Sequence, residues 1–212
     1  MKYIDISHDL TEATPVYPGD APVSLARVKS LAGDGYTAYE LRSGMHAGTH
    51  IDAPMHLLPS DTTIGAYEPG YFCGKCAVLD ARGKDIIGLT PEYEEKTPEN
   101  GIVLLHTDFG AYFGHPETYF TRHPVISPEL AAFLISKHIK ILGMDTPSPD
   151  APPFALHKLL LANGIFVLEN LTNLDAVPAE GEPELFAFPL KIAAEASLVR
   201  AVVRIQRIVN SE

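Results

Sequence analysis

The sequence predicts an α/β chain, and three observations carry that expectation. Residues 102–105 (I-V-L-L), 139–144 (I-K-I-L-G-M) and 165–168 (I-F-V-L) are near-continuous apolar runs, the pattern of strands buried on both faces. The segments between them carry helix signals: Ser127-Pro128-Glu129 ahead of the second run, and the Leu156, Leu159, Leu160 spacing that ends at Gly164 ahead of the third. Outside this block the apolar residues alternate instead, as in antiparallel strands with one wet face. Three parallel strands joined by helices, with a right-handed crossover between the second and third, follow for the centre of the chain.

In order along the chain, residues 2–7 alternate into a short strand, and Thr14-Pro15-Val16-Tyr17-Pro18-Gly19-Asp20 follows as a rigid turn that holds Tyr17 as a possible wall. Residues 23–28 and 36–42 are expected to pair around the Ala32-Gly33-Asp34-Gly35 turn, the second running straight on into an extended stretch over residues 44–53. Residues 77–80 read as a strand, and Thr90-Pro91-Glu92 has the cap, proline and acid that open a helix. The aromatic loop 108–123, with Tyr112, Phe113, Tyr119 and Phe120, is as well suited to covering a flat substrate as to ordinary packing. Residues 184–189 and a long strand over 197–208 close the chain.

At 212 residues, 46% hydrophobic and 20% charged, the chain is expected to form one domain over residues 1–212. A net charge of −11 without a Lys/Arg cluster argues against nucleic acid or an acidic membrane surface as partner. The acidic N-terminal segment lacks a secretory signal's apolar core and no run reaches membrane-spanning length, so a cytoplasmic protein is expected. Cys73 and Cys76 lead into strand sequence rather than helix, and a redox or zinc role for the pair is disfavoured.

Chemistry concentrates in M-H-A-G-T-H-I-D-A-P-M-H, where His46, His50, Asp52 and His56 hold three of the chain's nine histidines. In an extended segment His46, Gly48, His50 and Asp52 share a face, but His46 and His50 would stand ~13 Å apart at Cα. Gly48 permits the bend that brings them closer, and Ala53-Pro54 turns the chain so that His56 swings back. Two imidazoles and a carboxylate suit zinc or manganese, whereas an isolated strand histidine would signify only an ordinary hydrogen bond. The parallel strands end together at Asp108, Asp145 and Glu169-Asn170, at the edge where α/β folds bind ligands, and His157 lies in the first turn of the helix that starts there. His157 and Glu169 therefore join the candidate ligands. Five ligands are enough for two ions if Asp52 or Glu169 bridges, leaving His56 free as general acid and base. No G-x-S-x-G, P-loop or G-x-G-x-x-G motif offers a competing chemistry.

The segment H-A-G-T-H-I-D-A-P-M-H resembles the H-x-G-T-H-x-D-x-P-x-H signature of the cyclase-like metal-dependent hydrolases, a family that includes bacterial kynurenine formamidases (arylformamidases) and isatin hydrolases. The opening D-I-S, T-P-V-Y-P-G-D, G-M-D-T-P-S, His157 with Glu169-Asn170-Leu171, and Pro189-Leu190-Lys191-Ile192 fall at similar positions in that family. The resemblance implies a swivelling β/β/α fold with a β-barrel-like core and short flanking helices, and a homodimer or homotetramer. It implies a first ion on His46, His50 and Asp52, with Asp52 bridging to a second on His157 and Glu169, and His56 as proton donor and acceptor. Two zinc ions or manganese are the implied cofactors, and an amide the implied substrate: a linear arylformamide, or a cyclic amide of the isatin type. A lactone hydrolase or cyclase, and a metal-binding protein without turnover, are the alternatives. Tyr17 stands where the formamidases usually carry tryptophan, and the chain has no tryptophan, so the substrate stays open.

Overall fold

The computed structural model describes residues 1–178 and 181–206. Strand β1 (Lys2–Asp5) is followed by an antiparallel hairpin of β2 (Ser24–Lys29) and β3 (Ala38–Arg42), joined through the one-turn helix α1 (Leu31–Asp34). The Ser30 side chain caps α1 by accepting from the Gly33 N–H, and Gly35 closes it at φ 78°. Strand β4 (His50–Asp52) carries part of the histidine motif, and the 3₁₀ turn Pro54–His56 follows at once. After β5 (Cys73–Asp80) and the two-residue β6 (Ile86–Ile87), helix α2 (Pro91–Lys96) begins with Thr90 accepting from Tyr93 N–H. Then come β7 (Ile102–His106), α3 (Pro116–Tyr119), β8 (Val125–Ile126), α4 (Pro128–Ser136), β9 (Ile141–Met144), α5 (Ala155–Ala162) and β10 (Phe166–Glu169). The Ser127 side chain caps α4, and Gly164, at φ 74°, turns the chain out of α5. The described residues end on β11 (Glu182–Phe186), β12 (Ala196–Leu198) and β13 (Val202–Gln206).

Among the described residues nine strands form one sheet in the order β1-β13-β11-β5-β7-β9-β10-β4-β12. The expected parallel β7-β9-β10 core is present, and β5 extends it by a further parallel strand. Alternation along these strands builds two cores. Ile102, Leu104, Ile141, Phe166 and Leu168 face one side with Ile4, Ile51, Leu185 and Val203. Val103, Leu105, Leu142, Met144 and Val167 face the other, beneath Tyr93 of α2, Leu130 and Leu134 of α4, and Leu160 and Leu161 of α5. The first core gathers residues from both ends of the sheet, which is the signature of a curled, barrel-like sheet with short helices on its outside.

The expected strand over 197–208 is broken in two. β12 pairs with β4 at one end of the sheet and β13 with β1 and β11 at the other. Only residues 199–201 separate them, a link that spans at most about 14 Å. The two ends of the sheet must therefore approach each other. Val199 N–H to Thr49 carbonyl, Ala201 N–H to Ser7 Oγ, and Ile6 N–H to Ala201 carbonyl, at 3.1, 2.7 and 3.0 Å, knit the closure. Residue 208, the far end of the expected strand, lies outside the described residues. The stretch over 44–53 is likewise not one strand: β3 stops at Arg42, and residues 45–49 form turns and bends before β4. No helix among the described residues is long and apolar enough to cross a membrane.

Cys73 and Cys76 both lie on β5 as free thiols. Three residues along an extended strand separate Cα atoms by about 10 Å, beyond disulfide reach. Cys76 packs in the first core, and burial pushes its thiol up to about 12, with Glu184 adding to the shift. At pH 8 it therefore carries almost no thiolate, the reactive form. Iodoacetamide at that pH should leave Cys76 unmodified in the native protein and label it only after denaturation, as read by peptide mass; rapid native labelling would contradict this packing.

Candidate metal centre

The pleat of two neighbouring strands assembles the site. Ile51 points into the first core, so His50 and Asp52 point to the opposite face, the one that α5 covers. On β10 the same alternation sends Leu168 inward and Glu169 outward, with Val167. Antiparallel pairing sets Glu169 directly across from His50, and Val167 across from Asp52. His157, in the first turn of α5, comes down onto this face. Its Nε2 lies 3.4 Å from Asp52 Oδ2 and its Nδ1 3.8 Å from Glu169 Oε1.

Gly48 brings in His46. Its φ of +62° is a conformation that a residue with a Cβ rarely adopts, and it folds the chain back so that the His46 and His50 rings sit 5.0 Å apart, edge to face. His46 Nδ1 is 2.9 Å from Asp52 Oδ1, and His50 Nε2 is 3.5 Å from the same oxygen and 3.3 Å from Glu169 Oε2. The Gly48 carbonyl also fixes His50, whose Nδ1 lies 2.8 Å away. With the proton on Nδ1, the Nε2 lone pair points into the cluster.

Among the described residues two groups have ligand atoms close enough to share an ion, His46 with His50 and Asp52, and Asp52 with His157 and Glu169; within each the atoms lie within 4.8 Å of one another. Asp52 belongs to both groups. The donor set fits a divalent ion on a further count: His50 Nε2, both Asp52 oxygens, His157 Nε2 and Glu169 Oε1 are buried without a hydrogen-bond partner. Buried polar atoms are rarely left so.

Sequence reasoning thus placed His46, His50, Asp52, His157 and Glu169 in a pattern that the structure brings together. His56 joins neither group. It sits on the 3₁₀ turn with its ring 4.2 Å from that of His46 and 5.7 Å from that of His157, lining a cavity of about 250 Å³ above the cluster. Burial is the largest cause pulling it down to about 4, and positive charge on His46, His157 and His50 adds to this against the pull of Asp52. It is therefore neutral at pH 7. Tyr17 lines the same cavity, edge-on to Phe120 at 5.6 Å, with Phe154 also in its wall.

The other acidic strand ends stay apart. Asp145 is buried under the Thr107 hydroxyl and N–H at 2.5 and 2.9 Å, and Asp108 is exposed beside His106. Of the aromatic loop only Phe120 reaches the cavity; Tyr119 is buried, and Phe113 stacks on His8. Sequence reasoning missed Asn170 as a support. Its Nδ2 donates to the Gly48 carbonyl at 2.8 Å, and its Oδ1 accepts from Tyr119 O–H at 2.8 Å. Its adjacency to Glu169 was the one available signal.

The class that this fold and this site define is that of the metal-dependent hydrolases. Isatin hydrolase A from Labrenzia aggregata is 27% identical, with a TM-score of 0.85 over 97% of this chain and 94% of that one. A potential metal-dependent hydrolase with cyclase activity is 23% identical, with a TM-score of 0.78 over 97% of this chain and 98% of that one. The Cyclase family model matches residues 4–151, well over half of the chain, and the chain belongs to that family.

The buried carboxylates favour the protonated form of the imidazoles around them. Burial works against this, but Asp52 outweighs it and lifts His46 to about 9, with Glu169 and Glu195 adding; His50 and His157 are raised by Asp52 and Glu169 in the same way. Protonated His46 contributes stability that is full below its ordinary value of 6.5 and is lost as pH rises through about 9. Ion binding needs the lone pairs and must expel the protons. Affinity for zinc or manganese should therefore rise from pH 6 to 9, and calorimetry at pH 7 in buffers of different ionisation enthalpy should show at least about one proton released per ion. Heats independent of buffer would contradict the assignment.

Proposed function

We propose that this chain hydrolyses the C–N bond of a small aryl amide, a linear formamide or a ring-fused lactam, with zinc or manganese held by His46, His50, Asp52, His157 and Glu169. The observation that carries this reading is the set of unpartnered buried ligand atoms lying beneath a cavity that His56 lines without joining them. When bound, a divalent ion supplies Lewis acidity toward a carbonyl and makes deprotonation of water accessible near neutral pH. The rest falls to the chain's own side chains.

Neutral His56 takes a proton from the attacking water and delivers it to the departing amide nitrogen. That transfer lets the tetrahedral adduct collapse with expulsion of an amine rather than an amide anion. The Tyr17 and Phe120 rings flank the cavity and suit an aromatic substrate placed flat between them and Phe154. The likeness to isatin hydrolase supports the cyclic amide, and tyrosine rather than tryptophan at position 17 weighs in the same direction against formylkynurenine. A protein that only stores or senses metal has little use for a neutral imidazole beside the ligands. The reading extends to a homo-oligomer acting on a small molecule in the cytoplasm.

The test compares wild type with His56→Ala for metal content and for hydrolysis of isatin and N-formylkynurenine. Both proteins should retain the ion, while turnover of the better substrate falls by about 10²–10⁴-fold in the variant. Unchanged turnover would remove His56 from the mechanism, and a metal-loaded wild type inert on both compounds would move the search to lactones.

A further inference from the structure

The two histidines of the first ligand group each turn one nitrogen toward Asp52 and the other toward an oxygen outside the cluster. For His50 that outer oxygen is the Gly48 carbonyl, 2.8 Å from Nδ1. For His46 it is a side chain: Nε2 lies 3.3 Å from Glu195 Oε1, while Nδ1 faces Asp52. Glu195 is well placed to hold this position. Its own carbonyl accepts the Ala53 N–H at 3.0 Å, and the next residue, Ala196, pairs with Asp52. The main chain of β12 thus locks Glu195 in register with the strand that carries the ligands.

We propose that Glu195 is a positioning residue of the metal centre, its carboxylate accepting the Nε2–H of His46 so that the Nδ1 lone pair is presented to the ion. His46 needs such a partner more than His50 does. It lies in a turn rather than a strand, and its side chain is 22% exposed against 2% for His50, so packing alone constrains its ring less. A carboxylate on the far nitrogen fixes tautomer and ring orientation and raises ligand basicity. Glu195 itself stays outside both ligand groups. The inference rests on the metal-centre reading above and adds a residue to it.

The experiment measures Zn²⁺ and Mn²⁺ affinity of chelator-stripped wild type, Glu195→Ala and Glu195→Gln by competition with a chromophoric chelator, with the visible spectrum of the Co²⁺-loaded proteins and thermal unfolding of the stripped ones alongside. The alanine variant should bind about 10–100-fold more weakly and show a shifted Co²⁺ spectrum. Glutamine keeps an acceptor oxygen and should recover part of the loss, and both stripped variants should unfold close to wild type because the main-chain contacts to β4 remain. Alanine-variant affinity within twofold of wild type, with the Co²⁺ spectrum unchanged, would overturn the role of Glu195 while leaving the metal centre intact. A wild type that binds none of the three ions would instead remove the metal-centre reading, and the inference with it.

Discussion

The controlling constraint is electrostatic. Asp52 and Glu169 are buried on the helix-covered face of the sheet, where ionised carboxylates are costly unless positive charge is brought to them. Burial pushes both upward, and Asp52 pushes Glu169 further, yet the charge on His50 together with contacts from His157 and His46 holds Asp52 well below the ordinary range. Two acids and three imidazoles at contact distance form a balanced group only while protons or metal ions supply the positive charge. The fold is therefore built around a space for cations.

That requirement explains the detailed shape of β4. Only residues 50–52 are strand, because the segment before must bend at Gly48 to bring His46 round, and the segment after turns at Pro54 to set His56 on the cavity wall. Flanking pairings with β10 and β12 keep so short a strand in place. The same pairings set Glu169 opposite His50 and Ala196 opposite Asp52, with Glu195 joined through its carbonyl to the Ala53 N–H. Closure of the sheet through residues 199–201 anchors β12, so the curl of the whole sheet and the geometry of the cluster have a common mechanical basis.

The parts legible in the sequence were those set by local chemistry. Ser127 and Thr90 announce their helices because a cap is a contact within one turn, and the β7-β9-β10 core is visible because a strand covered on both faces has no polar alternation. His46, His50 and Asp52 stand out because eleven residues hold the motif, and His157 with Glu169 follow from where parallel strands end. The break between β12 and β13 was hidden, since Val199 and Ala201 continue the alternation while hydrogen bonding to Thr49 and Ser7, which are far away in the chain. Asn170 and Glu195 were hidden for the same reason. Their partners, the Gly48 carbonyl and the His46 ring, are set by tertiary register alone.

In the proposed mechanism, the separation of His56 from the two candidate ligand groups has a chemical logic. A histidine that binds an ion cannot also carry a proton on the coordinating nitrogen, so ligation and proton transfer need different imidazoles. Here Pro54 divides the tasks within one short segment: the strand before it commits His50 and Asp52 to the cluster, and the 3₁₀ turn after it sets His56 on the cavity side. Positive charge in the cluster then depresses His56 further, whether protons or ions carry it. The positive charge that the acids demand thereby helps to keep His56 neutral, the form that the proposed proton transfer needs.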